Sequence, residues 1–307
     1  METRKVQVTG GSTYTVSLPK EWATDNAVEA GSVVEFHSEA DLLLVTPHSD
    51  DGRTEGRMDV TGLTTDHELT RAVMTMYVSG FDVIVLETDR MTAAQRRAIR
   101  DASQRLVGLE VIEERPNAMV LQDLLDSSEL SIKNAVTRMR LVSLTMLEDA
   151  VEALVTDDDA LADDVIERDD DVDRLWYLTS RVLRQVLRNP TAAAEIGFAR
   201  ETCFDLQSTA RQFERIADHA TKIAELARET GEIPAETVAS LRELREEAAQ
   251  VPETAMNGVL ADDPDRAVEL AAEARAQIGT VTERTRALDA EIHDYDPQLA
   301  QTLGLVP

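Results

Sequence analysis

The chain has 307 residues, with 59 Asp and Glu against 31 Lys and Arg, and a formal net charge of −28. This charge argues against a general nucleic-acid-binding surface, and the single cysteine, Cys203, excludes an internal disulfide or a thiolate zinc site. Because 43% of the residues are hydrophobic, we expect an acidic coat over two or three folded domains rather than a disordered chain.

The basic residues are almost all arginine, with 27 Arg and 4 Lys. An acidic, lysine-poor surface suggests a salt-rich cytoplasm, where counterions screen the mutual repulsion of the acids. The amino-terminal sequence METRKVQVTGG lacks the apolar core of a signal peptide, and no stretch reaches the ~18 apolar residues of a membrane span. We therefore expect a cytoplasmic protein without a membrane span.

Residues 1–48 predict a small β domain. Alternating residues at 4–9 and 13–18 flank GGS and predict two strands, LPKEW predicts a short helix, and SVVEF and LLLVTP predict two more strands. The segments GGSTYTVSLPKEW, VEAGSVVEF and LLLVTP resemble the swapped-hairpin domains of the AbrB/SpoVT type. Two copies interleave into one barrel in that family, and since one copy alone is too small to bury much core, we expect a homodimer.

The same resemblance raises the question of DNA binding. AbrB-type barrels commonly present basic residues to DNA, which makes Arg4, Lys5 and Lys20 the candidate DNA contacts. Residues 1–50 hold these three bases against eight acids, a balance that weakens attraction to phosphates. DNA binding and dimerisation alone therefore stay open as two roles for this barrel.

Residues 56–125 predict a small α/β domain after the polar linker HSDDGRTEG. Strand and helix patterns alternate in the order RMDVTG, DHELTRAVMTMYVSG, DVIVLET and TAAQRRAIRDASQRLVG, and two strands follow, LEVIEE and AMVLQDL. The domain has no Gly-rich phosphate loop, no His/Cys cluster and no nucleophile elbow. A scaffold, a spacer and a ligand-sensing module are the three roles that remain.

Residues 127–307 predict a domain of antiparallel helices, which makes the whole protein a mainly α, multi-domain chain. Short connections indicate that neighbouring helices pack against each other. The predicted helices are A from Ser127 to Val155, B up to Asn189 with TDDDA at its start, C from Thr191 to Gly231, D from Pro234 to Leu260, and E from Asp262 to Tyr295.

Two pairs of acids border the apolar faces of helices B and C. Asp169 and Asp173 lie beside the apolar stripe of helix B, and Glu214 and Asp218 lie about 120° from that of helix C. Packing of the two helices would bring four carboxylates together. Such a group repels itself unless a hard cation such as Mg²⁺, Mn²⁺ or iron neutralises it.

A solvated acidic surface is the alternative interpretation of these pairs. At this acid content, chance alone predicts roughly 11 acid pairs with four-residue spacing, so the spacing is not evidence by itself. Arg181 and Arg215 could also pair with the acids and leave no room for a metal. His219 follows Asp218 but points about 100° away, so we expect it beside the core rather than among the ligands.

The longer strings FERIADHATKIAELA and DDDVDRLWYLTSRVLRQVL resemble the PhoU family of phosphate-uptake regulators. PhoU domains consist of two consecutive three-helix bundles, each with an E/D-x-x-x-D metal motif. By position, Glu214 and Asp218 match this motif in helix C, and Asp169 and Asp173 match its partner in helix B. The resemblance implies a bound divalent or trivalent metal (Mg, Mn, Fe or Zn) and contact with a phosphate transporter's ATPase or a phosphate signalling protein.

The sequence departs from the family pattern at its carboxyl end. Helix E lacks a convincing second motif, and the chain stops at LGLVP where the family continues into a sixth helix. One metal site is therefore expected, with either a dimer partner covering helices D and E or a shortened chain.

No set of nucleophile, base and orienting group can be named, so we expect no enzymatic activity. The sequence predicts a regulator of phosphate uptake and intracellular phosphate homeostasis. The alternative is an AbrB-type DNA-binding transcriptional regulator whose helical bundle senses a ligand or metal.

Overall fold

The computed structural model describes residues 3–39, 42–48, 54–125, 131–231, 233–261 and 263–295. The chain divides into two compact units, Met1–Arg53 and Thr54–Pro307. The predicted α/β and helical segments both belong to the second unit. Part of the predicted linker, the predicted start of helix A at Ser127 and the final LGLVP lie outside the described residues.

The described residues of the first unit form two antiparallel strand pairs and one short helix. Its elements are β1 (Gln7–Thr9), β2 (Thr13–Thr15), α1 (Lys20–Asp25), β3 (Val34–Glu39) and β4 (Leu42–Pro47). β1 pairs with β2 and β3 pairs with β4, both antiparallel, in two separate sheets. None of the described side chains before residue 49 is buried, and Val8, Phe36 and Leu43 are 62%, 59% and 57% exposed. The described part of this unit therefore has no core of its own.

The second unit begins with a four-stranded sheet, as the alternating pattern predicts. Its elements are β5 (Glu55–Asp59), α2 (Asp66–Val78), β6 (Val83–Glu87), α3 (Ala93–Gln104), β7 (Leu109–Arg115) and β8 (Ala118–Asp123). The strand order is β5-β6-β8-β7, with β5 and β6 parallel and the other pairs antiparallel.

Both helices of this domain begin at a capping box. Thr65 accepts from the backbone N–H of Glu68 and Thr92 accepts from that of Gln95, while each N3 side chain accepts from the cap's own backbone N–H. The helices pack their apolar faces on the sheet in one core, which includes Leu69, Val73, Ile84, Leu86, Ile99 and Leu121.

Six helices follow within the described residues. They are α4 (Ile132–Thr156), α5 (Asp159–Arg188), α6 (Pro190–Ile196), α7 (Arg200–Ala227), α8 (Ala235–Val259) and α9 (Pro264–Tyr295). α4, α5 and α7 pack against one another, and α8 and α9 pack together. α4, α5 and α7 supply most of one shared core, which also takes in Met256 of α8 and Leu288 and Ile292 of α9. The shared core includes Val136, Met139, Ala150, Val172, Val182, Phe213, Ala217 and Ala220.

The prediction of one continuous helix from Thr191 to Gly231 is wrong. Gly197 has a φ of +77°, a left-handed conformation that ends α6 and that glycine adopts without steric penalty. α7 begins three residues later at Arg200, so the helix carrying Glu214 and Asp218 is separate from the one at Pro190.

α8 contacts α4 through ion pairs. Arg242 pairs with Glu152 at 2.7 Å and Arg245 pairs with Glu148 at 3.3 Å. Among the helices within the described ranges, none combines the length and the apolar character needed to cross a lipid bilayer.

Candidate metal centre

The two acid pairs meet where α5 and α7 pack side by side in opposite directions. Gln207 of α7 lies 3.5 Å from Ser180 of α5, from Nε2 to Oγ. Further along the same contact, the charge of Glu214 acts on Asp173 and that of Asp218 acts on Asp169. Residues with higher numbers on α7 thus face residues with lower numbers on α5. The two helices are therefore antiparallel, and both acid pairs face the same seam.

Burial and mutual repulsion make this cluster costly to ionise. Burial raises the pKa of Asp173 to about 6, and the charges of Asp169 and Glu214 add to the rise. Burial also raises the pKa of Asp169, with Asp218 as the second cause. The pKa of Glu214 is raised by burial and by Asp218, although the nearby Arg211 lowers it. The folded protein therefore favours a positive charge here, either a proton or a cation.

The structure places the four predicted ligands on one seam. Asp169, Asp173 and Glu214 are partly buried and Asp218 is exposed. None of the four forms an ion pair with another described residue. As the side chains stand, no three His, Cys, Asp or Glu groups within the described ranges are arranged to hold a metal. Metal binding by these acids therefore stays a prediction.

Arg181 does not neutralise the cluster, and the suggestion that it pairs with these acids is wrong. Its side chain is 0% exposed and its Nη2 lies 2.7 Å from Oδ2 of Asp123, at the end of β8. Its Nη1 donates to the carbonyl of Tyr77 at 2.9 Å, and its guanidinium lies 4.8 Å from the centre of that tyrosine ring. Arg181 thus joins α5 to the sheet domain. Arg215, the second suggested partner, is exposed on α7.

His219 is partly buried on α7, and its Nδ1 has no hydrogen-bond partner among the described residues. Burial lowers its pKa, and the charges of Lys222 and Arg215 lower it further. The ring therefore favours its neutral form.

Tyr177 is the residue that sequence analysis missed at this site. Its hydroxyl donates to Oδ2 of Asp173 at 3.4 Å, and its ring packs against the core of the sheet domain. Burial raises the pKa of Tyr177 to about 12, with the charge of Asp173 as the second cause. The four-residue step from Asp173 to Tyr177 to Arg181 was a usable signal, because it sets the three side chains along one side of α5.

A cleft of about 220 Å³ lies beside Tyr177, between α5 and the sheet domain. The side chains lining it come from α2, the end of α3 and α5. They include Thr70, Met74, Leu106, Arg105, Asp173 and Arg174. The acid cluster therefore borders the sheet domain as well as the helical bundle.

The candidate DNA contacts lie in the first unit. Arg4 and Lys5 precede β1, Lys20 is the first residue of α1, and all three are exposed. Exposure is compatible with either proposed role of this unit.

Comparison with known proteins gives two family matches. Residues 136–227 match the PhoU domain model, and residues 7–53 match the model described as antidote-toxin recognition MazE, bacterial antitoxin. No curated protein gives a significant match. A crystal structure of PhoU from Pseudomonas aeruginosa is similar, with 21% identity over 57% of this chain and 83% of that chain, and a TM-score of 0.45.

The PhoU match covers most of α4, all of α5 and α6, and α7 to its end. It therefore includes all four residues of the acid cluster. Both resemblances drawn from the sequence are confirmed at the level of the domain: the helical region contains a PhoU domain, and the amino-terminal region contains a MazE/AbrB-like domain.

Proposed function

We propose that this protein is a cytoplasmic regulator of phosphate uptake and intracellular phosphate homeostasis. The PhoU domain match over the three-helix bundle carries the proposal. PhoU is a regulatory family, so the bundle acts by protein contact rather than by catalysis. The partner is a phosphate transporter's ATPase or a phosphate signalling protein, and the acidic seam of α5 and α7 lies on the contacting face.

A divalent or trivalent metal belongs at this seam in the proposal. Asp169, Asp173, Glu214 and Asp218 supply only carboxylate oxygens, which favour hard cations such as Mg²⁺, Mn²⁺ or iron over Zn²⁺. The raised pKa values of Asp169, Asp173 and Glu214, and the lack of an ion-pair partner for the four acids among the described residues, fit a bound cation. When bound, the metal would neutralise the seam and fix the shape of the contacting face.

Changing Glu214→Gln together with Asp218→Asn tests both parts of the proposal. We expect the purified variant to lose the metal that the wild type retains, because two of four ligand carboxylates are gone. In cells whose own gene is deleted, the variant should also fail to restrain uptake of radiolabelled phosphate at high external phosphate. Elemental analysis and the uptake rate are the two measurements.

Glu201→Gln with Asp205→Asn is the matched control. These residues have the same types and spacing and lie on the same helix, but they are exposed and stand more than two turns before Glu214. Metal content and restraint of uptake should therefore match the wild type. Equal metal content in both variants would remove the proposed site. An uptake rate that deletion of the gene leaves unchanged would contradict the proposed function.

The first unit serves as a homodimerisation barrel in this proposal. Its exposed apolar side chains, such as Val8 and Phe36, need a partner to cover them, and a second copy of the chain is a suitable one. We expect the wild type to sediment as a dimer. Val8→Glu with Phe36→Glu should sediment as a monomer, because each change buries a charge in the contact.

Direct DNA reading by the same barrel is the second candidate function, favoured by the MazE match. A gel-shift titration over several salt concentrations separates the two. In the dimerisation role, shifts are weak and vanish as salt rises. Sequence-selective binding that survives high salt and is lost when Arg4, Lys5 and Lys20 are changed to Gln would establish the DNA-reading role instead.

A further inference from the structure

α5 contacts two cores at once. Leu178, Val182 and Leu183 lie in the core shared with α4 and α7. Between them, Arg181 turns away to the sheet domain, where Asp123 and the Tyr77 carbonyl bind it. Six consecutive side chains, from residue 178 to residue 183, are buried. Burial on all sides is typical of a helix enclosed between two packing layers.

Tyr177 lies between this anchored segment and the acid cluster. Its ring packs on the core of the sheet domain, while its hydroxyl reaches Oδ2 of Asp173. One turn later, the guanidinium of Arg181 is fixed by a buried ion pair. The position of the tyrosine ring, and hence of its hydroxyl, is therefore set by the sheet domain rather than by the bundle alone.

We infer that Tyr177 is a positioning residue through which packing of the sheet domain on α5 sets the orientation of the Asp173 carboxylate, and so couples that packing to metal binding. This inference rests on the proposed metal site. Groups that orient a metal ligand commonly change metal affinity about 10–100-fold when removed. Coupling of this kind is reciprocal, so bound metal must in turn stabilise the contact between α5 and the sheet domain.

Of the three roles that the sequence left open for the sheet domain, a scaffold fits best, because the domain holds Tyr177 and Arg181 in place. The cleft of about 220 Å³ beside Tyr177 lies at the same contact. Any movement of α2 or the end of α3 against α5 would then alter the metal site.

Tyr177→Phe tests the inference, because it keeps the ring and its packing but removes the hydroxyl. Calorimetric titration of the full chain with Mn²⁺ alone should give about 10-fold weaker binding than the wild type. In the wild type, Mn²⁺ should also slow amide hydrogen exchange in residues 70–74 and 102–106, the two segments of the sheet domain that contribute side chains to the cleft. The variant should lose most of that metal-dependent protection.

Tyr14→Phe is the matched control, since Tyr14 is 78% exposed in the first unit and its change should leave both measurements unaltered. Failure of the wild type to bind Mn²⁺, or binding that Glu214→Gln/Asp218→Asn does not weaken, overturns the metal site itself. If the wild type binds Mn²⁺ at the acids and the dissociation constant of Tyr177→Phe stays within about twofold of the wild-type value, only the positioning role is overturned. If Tyr177→Phe binds Mn²⁺ more weakly but keeps the metal-dependent protection from hydrogen exchange, the coupling is overturned.

Discussion

Replacing Arg181 with Met is expected to lower the free energy of unfolding by about 3–5 kcal/mol. The Arg181 side chain is fully buried and that of Asp123 is 5% exposed, so the variant leaves a carboxylate in the interior without its cation. The carbonyl of Tyr77 also loses the donor that lies 2.9 Å away. Urea unfolding followed by circular dichroism measures the loss as a lower transition midpoint.

Two further variants identify the cause of that loss. Arg184→Met removes an exposed arginine three residues along the same helix and should change the stability by no more than about 0.5 kcal/mol. Adding Asp123→Leu to Arg181→Met removes the unpaired charge and should restore most of the stability. A loss below about 1 kcal/mol for Arg181→Met alone would contradict a joining role for this residue.

Replacing Asp173 with Asn is expected to stabilise the metal-free protein at pH 7. The ordinary pKa of Asp173 is 3.8 and its folded value is about 6, so the folded protein binds this proton more tightly than the unfolded chain. Its contribution to stability is therefore greatest below pH 3.8, falls as the pH rises to about 6, and stays at the lower level above that.

The size of this effect follows from the two pKa values. The difference corresponds to at most about 3 kcal/mol, and solvent screening of a partly exposed carboxylate reduces it to about 1–2 kcal/mol. With a chelator present, the melting temperature of Asp173→Asn should be higher than that of the wild type at pH 7 and close to it at pH 4. Asp205→Asn, an exposed change on α7, should follow the wild type at both values.

Bound metal should make the wild type more stable than Asp173→Asn, the reverse of their order with chelator. At a Mn²⁺ concentration 100 times its dissociation constant, the wild type gains about 2.7 kcal/mol, and Asp173→Asn gains less because a ligand is missing. If Asp173→Asn is less stable than the wild type at pH 7 even with chelator, the acid cluster is not repulsive as described.

Most of the elements could be predicted from local patterns. The capping residues Thr65, Thr92 and Asp158 stand at helix starts. Between the turns, alternation of apolar and polar residues marks the strands, and a 3.6-residue apolar periodicity marks the helices. The break at Gly197 was missed, because a single glycine in a helical pattern is commonly tolerated and its positive φ is not visible in the sequence. The strand order of the sheet likewise depends on long-range pairing.

The acid cluster was predictable for a related reason. Asp169, Asp173, Glu214 and Asp218 border apolar stripes, and antiparallel packing of neighbouring helices brings such borders together. The contacts of Tyr177 and Arg181 with the sheet domain were not predictable, because Asp123 and Tyr77, the partners of Arg181, lie 58 and 104 residues earlier in the chain. Besides the four-residue step from Asp173 to Tyr177 to Arg181, the local hint is an arginine between apolar residues in YLTSRVL, since a buried arginine requires an acidic partner.

The four-residue steps along α5 also limit how this chain can change in length. Inserting one residue between Asp173 and Arg181 would rotate the rest of the helix by about 100° relative to the part before it. Either the guanidinium of Arg181 would then turn away from Asp123 while the acids kept their place, or Arg181 would keep its ion pair while the acids turned away from α7. Insertions and deletions among related chains should therefore avoid this stretch and collect in the loops at either end of the helix.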